Sequence, residues 1–203
     1  MSAKKQTYNF MIAGVGGQGT VLASKLIATA AMKIGCDVRT TETIGMAQRG
    51  GSVFGHIRIA LANDSASDKI NKNILSPLIP LGKADAIIAF EPAEAVRQLP
   101  YLKKDGVVIS CDTAIKPITG SYEVSVMIDY LRKHAPRLII LDGKRLTQQN
   151  AKTLNVSLLG AAAQSGLFPF DADTLSEILP DVLPQHFLEI NRKAFELGRE
   201  LSP

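Results

Sequence analysis

The chain predicts a three-layer α/β/α domain in which helices cover both faces of a mostly parallel, mixed sheet. Three observations predict it. Apolar β-like runs alternate with helix-like segments, a glycine-rich turn joins the first run to the first helix, and one connection is too short to hold a helix.

The β-like runs are Tyr8 to Ala13, Asp37 to Thr43, Ser52 to Ala60, Ala84 to Phe90, Gly106 to Cys111, Glu123 to Met127 and Arg137 to Leu141. Between the second and third lie only Ile44 to Gly51, whereas a parallel crossover needs about a dozen residues. Those two strands should therefore be antiparallel neighbours or lie apart. The first helix, Gly17 to Ile34, places Val21, Leu22, Leu26, Ile27, Ala30 and Ala31 at helical spacing, with Gly35 as its stop. Beyond Leu141 the pattern turns helical: Arg145 to Lys152, Asn155 to Gln164 with Asn155 as cap, Asp173 to Leu179 and Gln185 to Leu201. Pro169, Pro180 and Pro184 punctuate this stretch, which reads as a helical C-terminal extension of one domain over residues 1–203.

Length and composition agree, with 203 residues, 46% hydrophobic and 21% charged. That suffices for a sizeable core. The net charge of +4 is spread along the chain and forms no basic run, so nucleic acid is not an expected partner. No apolar stretch is long enough to span a membrane, and Met1 to Phe10 lacks a leader pattern, so a cytoplasmic location is expected. Cys36 and Cys111 are too few to ligate an iron–sulfur cluster, and His56, His134 and His186 show no paired spacing, so no metal site is expected.

The chemistry concentrates in two turns. The first, Gly14-Val15-Gly16-Gly17-Gln18-Gly19, satisfies GxGxxG between a strand and a helix. Glycines let backbone N–H groups approach a ligand, and the helix N-terminus behind them favours an anion. Glu42 follows at about the twenty-residue distance at which a ribose-binding carboxylate occurs. The same turn could instead serve close helix packing or meet another subunit. The second, Met46 to Ser52, combines Gln48, Arg49, Gly50, Gly51 and Ser52, a polar, cationic and flexible set suited to a carboxylate or phosphate. Arg58 could bind or form a surface ion pair, and Glu91-Pro92-Ala93-Glu94 follows a strand where α/β crevices open.

Together the motifs resemble one family. GVGGQG (Gly14 to Gly19), an Ala-rich helix and TTETIGMAQRGGSVFGHIR (Thr40 to Arg58) resemble the gamma-type domain of the 2-oxoacid:ferredoxin oxidoreductases, and most closely the small (beta) subunit of the indolepyruvate branch. The likeness continues through Ala84 to Arg97 and Asn155 to Gly166. It implies oxidative decarboxylation of a 2-oxoacid to an acyl-CoA with ferredoxin as acceptor. Thiamine diphosphate and iron–sulfur clusters serve that chemistry, yet this chain has neither the GDG motif of thiamine diphosphate sites nor a CxxCxxC run. The resemblance therefore implies a large (alpha) partner subunit carrying both cofactors, contact with ferredoxin only through the complex, and no activity of this chain alone. It also implies coenzyme A near Gly14 to Gly19 and Gln48 to Ser52. Alternatives are a gamma subunit for pyruvate, 2-oxoglutarate or branched-chain 2-oxoacids, a free-standing dinucleotide-binding protein, and a purely structural interaction module.

Overall fold

A computed structural model describes residues 7–43, 51–61, 74–114, 122–148 and 150–202. Among these residues six strands form one sheet: β1 (Thr7–Val15), β2 (Asp37–Thr43), β3 (Ser52–Ala60), β4 (Ala84–Ala89), β5 (Leu102–Cys111) and β6 (Arg137–Leu141). Their order is β2-β3-β1-β4-β5-β6. β3 runs antiparallel to both neighbours, and β1, β4, β5 and β6 are mutually parallel. The short second connection thus does join antiparallel neighbours, and the sheet is mixed as its length required.

Alternation along β1 builds the layers, because successive strand side chains point to opposite faces. Phe10 and Ile12 join a core with Leu26 and Ile27 of α1 (Thr20–Lys33), Val156 and Leu159 of α5 (Leu154–Gln164) and Phe195 of α8 (Gln185–Leu201). Met11 and Ala13 face the other way, against Ala95 of α2 (Pro92–Gln98) and Leu131 of α3 (Val124–His134). Central β4 is buried along its whole length, which explains its apolar run from Ala86 to Ala89.

The C-terminal extension is helical, with short α4 (Gly143–Leu146), α6 (Ala172–Glu177) and α7 (Leu179–Val182) beside α5 and α8. α5 and α8 cross at a mutual glycine contact. A Cβ on Gly160 would strike the Phe195 carbonyl, and one on Gly198 the Ser157 carbonyl, so any larger residue forces the helices apart. The small-residue surface of α5 is thereby spent within the chain.

Three expectations need correction. Glu123 to Met127 is not a strand; it enters α3. Val124 and Val126 mimic β alternation, but Ile128 and Leu131 are the buried residues, with Val124 and Met127 half-buried, which is helical spacing. Arg145 to Lys152 is not one helix: α4 ends at Leu146, and a single 3-10 turn, Ala151–Thr153, follows, capped by Asn150. Asn155 does not cap α5, because the helix begins at Leu154 behind Thr153 and Asn155 turns inward.

Candidate functional site

The chain leaves β1 at Val15 and makes a tight turn before α1. The Gln18 amide N–H donates to the Val15 carbonyl, and the Gln18 side-chain oxygen accepts from the Val15 N–H at 2.6 Å, so residue 18 closes the loop with both backbone and side chain. Three of its four glycines have distinct causes. A Cβ on Gly14 would lie 2.8 Å from the Gln18 Oε1 and 2.9 Å from the Phe90 ring, so Gly14 makes room for the folded-back glutamine. Gly17 and Gly19 adopt positive φ, 100° and 79°, which other residues reach only under strain. A Cβ on Gly19 would strike the Asn155 amide, whereas nothing lies near that of Gly17.

Two of these glycines therefore answer to protein packing, and Gly17 alone of the three faces open space. Asn155 is buried, and its Nδ2 donates to the Gly19 carbonyl at 3.3 Å. It thus ties the start of α5 to the start of α1. The first turn of α1 has no acidic residue and no side-chain cap, so its N-terminal amides keep their partial positive charge.

A cavity of about 350 Å³ opens here. It is lined by Gly17 and Gln18 after β1, Phe90 after β4, Thr113 after β5, Lys152 before α5 and Leu154 at its start. This is the crevice beyond the carboxyl ends of parallel strands where α/β sheets hold ligands. Lys152 brings an exposed cation to the rim. Beside the cavity, Glu91 is buried; its Oε1 accepts from Gln18 Nε2 at 3.1 Å and its Oε2 from the Tyr122 hydroxyl at 2.8 Å. Burial, followed by the nearby Glu91 carboxylate, pushes the Tyr122 phenol up and keeps it a proton donor.

The antiparallel pairing of β1 with β3 sets Val15 opposite Ser52, and the Gly16 N–H donates to the Gly51 carbonyl at 2.8 Å. Gly51 and Ser52 of the second turn therefore adjoin the first. The Ser52 hydroxyl donates to Glu94 Oε2 at 2.5 Å, and Arg97 pairs with Glu94 Oε1 at 3.3 Å. Burial nonetheless holds the Glu94 carboxyl above its ordinary range. Gln48, Arg49 and Gly50 lie outside the described residues.

Glu42 is half-buried on β2, opposite Gly55, and β3 stands between it and β1. It is one strand farther from the glycine turn than in a sheet whose second strand adjoins the first. Arg58 pairs with Asn9 at the amino end of β1, bonding the Asn9 side chain at 3.0 Å and the Ser76 carbonyl at 2.8 Å. Its role is to fasten the segment before β4. His56 is buried, accepts from the Ile79 N–H at 3.2 Å, and burial lowers its affinity for a proton. Cys111 is buried with its thiol pushed up by burial. Among the described residues no cluster of His, Cys, Asp and Glu suits a metal ion, and no helix is long and apolar enough to cross a membrane.

The sequence reading missed Thr113, Lys152, Asn155 and Tyr122 as neighbours of the turn. Thr113 was findable as the residue just beyond a parallel strand. Tyr122 comes from a connecting segment, Lys152 from the 3-10 turn and Asn155 from the start of α5, and no local pattern announces their return to the turn.

The family model described as pyruvate ferredoxin/flavodoxin oxidoreductase matches residues 9–201. The indolepyruvate oxidoreductase subunit IorB of Archaeoglobus fulgidus is 36% identical over 198 residues, covering 94% of this chain and 92% of that protein. The protein of the same name from Thermococcus kodakarensis is 34% identical over 200 residues, covering 94% of each. The crystal structure of the keto/oxoacid ferredoxin oxidoreductase gamma subunit from Geobacter sulfurreducens superposes with a TM-score of 0.66 at 22% identity, covering 96% of this chain and 98% of that one. That likeness concerns the fold.

Proposed function

Because the chain belongs to the pyruvate ferredoxin/flavodoxin oxidoreductase family, as a gamma-type subunit of the 2-oxoacid:ferredoxin oxidoreductases, we propose that it is the small subunit of an indolepyruvate ferredoxin oxidoreductase. In this reading it assembles with a large subunit that carries thiamine diphosphate and iron–sulfur clusters, and the complex converts an aryl pyruvate to its acyl-CoA while reducing ferredoxin. The observation that carries the substrate assignment is near-full-length identity of 34% and 36% to proteins named as indolepyruvate oxidoreductase subunits.

This chain's own contribution is binding and positioning. The turn Gly14 to Gly19, with Gly51 and Ser52 beside it and Gln48, Arg49 and Gly50 in the same sequence motif, receives an anionic group of coenzyme A. Three features support it: uncapped amides at the start of α1, the open space at Gly17, and Lys152 at the cavity rim. Glu42, half-buried on the outer strand, is assigned to the shape of this region and not to a ribose.

Co-expression with a large subunit followed by a viologen-linked assay across 2-oxoacids tests the proposal. Aryl pyruvates should turn over with the highest kcat/KM, and each subunit alone should be inactive. Preference for pyruvate, 2-oxoglutarate or branched-chain 2-oxoacids would reassign the substrate. Purification of this chain alone with tightly bound NAD(P) or flavin would overturn the subunit reading.

A further inference from the structure

Buried polar groups persist in a protein only where their hydrogen bonds are satisfied, and a chain of them fixes orientation in a way that apolar contacts do not. Such a chain runs across the carboxyl ends of three parallel strands. From the loop after β5, Tyr122 donates its hydroxyl to Glu91 at the end of β4. Glu91, 2% exposed, accepts in turn from the Gln18 amide after β1. Gln18 accepts from the Val15 N–H with its other amide atom.

The direction of each bond matters. A primary amide has one accepting end and one donating end. Glu91 can only accept at both oxygens when ionised, so it compels Gln18 to present its NH2 outward and its oxygen to Val15. A flipped Gln18 would set its oxygen against the carboxylate and its NH2 against a backbone N–H, two repulsive contacts at once.

We infer that Glu91 is a positioning residue: held by Tyr122, it locks the Gln18 amide and so holds the turn Gly16 to Gly19 in the conformation that sets Gly17 against the open cavity. The inference rests on the reading that this turn receives an anionic group of coenzyme A. Gln18 and Phe90, which flank the lock, both line the cavity, so a released Gln18 would change the shape of its floor. Gly14 is part of the device, since only glycine leaves room for the folded-back side chain.

The test compares Glu91→Ala with Glu91→Gln in the full chain and in the assembled complex. A glutamine side chain at this position can accept from Gln18 with its carbonyl and donate to the Tyr122 oxygen, so Glu91→Gln preserves the lock without the charge. Glu91→Ala removes both bonds. In the full chain, amide hydrogen exchange at Val15 and Gln18 should speed up about tenfold in Glu91→Ala, the loss of one net hydrogen bond, and should stay within about twofold of wild type in Glu91→Gln. Exchange at Ile12 and Ile88, inside β1 and β4, should not change in either. In the complex, Glu91→Ala should raise the KM for coenzyme A about tenfold with kcat retained. Glu91→Gln should restore it.

Unchanged exchange at Val15 in Glu91→Ala overturns the lock, as does Glu91→Gln behaving like Glu91→Ala, which would make the charge the essential property. Faster exchange with an unchanged KM for coenzyme A would uphold the lock and refute the ligand reading instead.

Discussion

The two ends of the sheet carry polar networks of similar size and opposite character. At the amino end, Asp85 accepts the Asn9 N–H at 2.7 Å and pairs with Lys103 at 2.5 Å, while Arg58 joins Asn9 to the Ser76 carbonyl. Lys103 and Arg58 each meet an acceptor there. The side chains span neighbouring strands and close the layer. At the carboxyl end, Glu91 and Glu94 are buried among neutral donors, with Arg97 the cation paired to Glu94, and the network borders open space. A network that consumes its own charges fastens strands. One that leaves helix amides and a cavity beside it leaves room for a ligand.

The comparison breaks most readily at Asp85. Asp85→Ala strands a half-buried backbone N–H and takes from Lys103 its nearest carboxylate, and should cost about 2 kcal/mol in denaturant unfolding. The KM for coenzyme A of the assembled complex should not move. A changed KM would mean that the amino end is coupled to the site.

Gly19→Ala is the counterpart at the carboxyl end. It combines a strained positive φ with a clash against Asn155, for a cost of about 2 kcal/mol. It should also perturb the cavity, because Asn155 must retreat. Thermal unfolding together with coenzyme A kinetics would show both effects; a loss of stability alone would make Gly19 a packing glycine.

A smaller effect concerns Glu94. Its folded carboxyl is held above the ordinary glutamate value of 4.5, first by burial, so the folded state binds the proton more tightly than the unfolded chain. Its contribution is therefore unfavourable at high pH: stability falls as pH rises from 4.5 through the raised folded value. Glu94→Gln should remove this fall and leave the protein relatively more stable at neutral pH, as read from unfolding curves across pH. A variant that parallels wild type at every pH would remove Glu94 as the cause.

Much of the fold was legible because its signals are local. Six β-like runs fall on the strands, with bounds identical for β2, β3 and β6, and the brevity of Ile44 to Gly51 implied the antiparallel pair. The false strand at Glu123 arose because two valines two apart satisfy either period until Ile128 and Leu131 are counted. In the candidate site, the GxGxxG pattern located the turn but did not separate its glycines. Gly14 yields to Gln18, Gly19 to Asn155, and Gly17 to the cavity, and those neighbours come from far along the chain or from a side chain that folds back. Arg58 was ambiguous for the same reason, since the carbonyl it serves lies in a different segment.

Gly17 offers the most direct measurement of the central claim, that the carboxyl-end turn of this subunit receives an anionic part of coenzyme A. Gly17→Ala meets no neighbouring atom, so the chain should still fold and assemble despite a strain of about 1 kcal/mol from its positive φ. In the complex with the large subunit, the account predicts that the KM for coenzyme A rises about tenfold while the KM for the 2-oxoacid and kcat hold, because one turn amide no longer meets its anion. Wild-type coenzyme A kinetics in an assembled Gly17→Ala complex would contradict it.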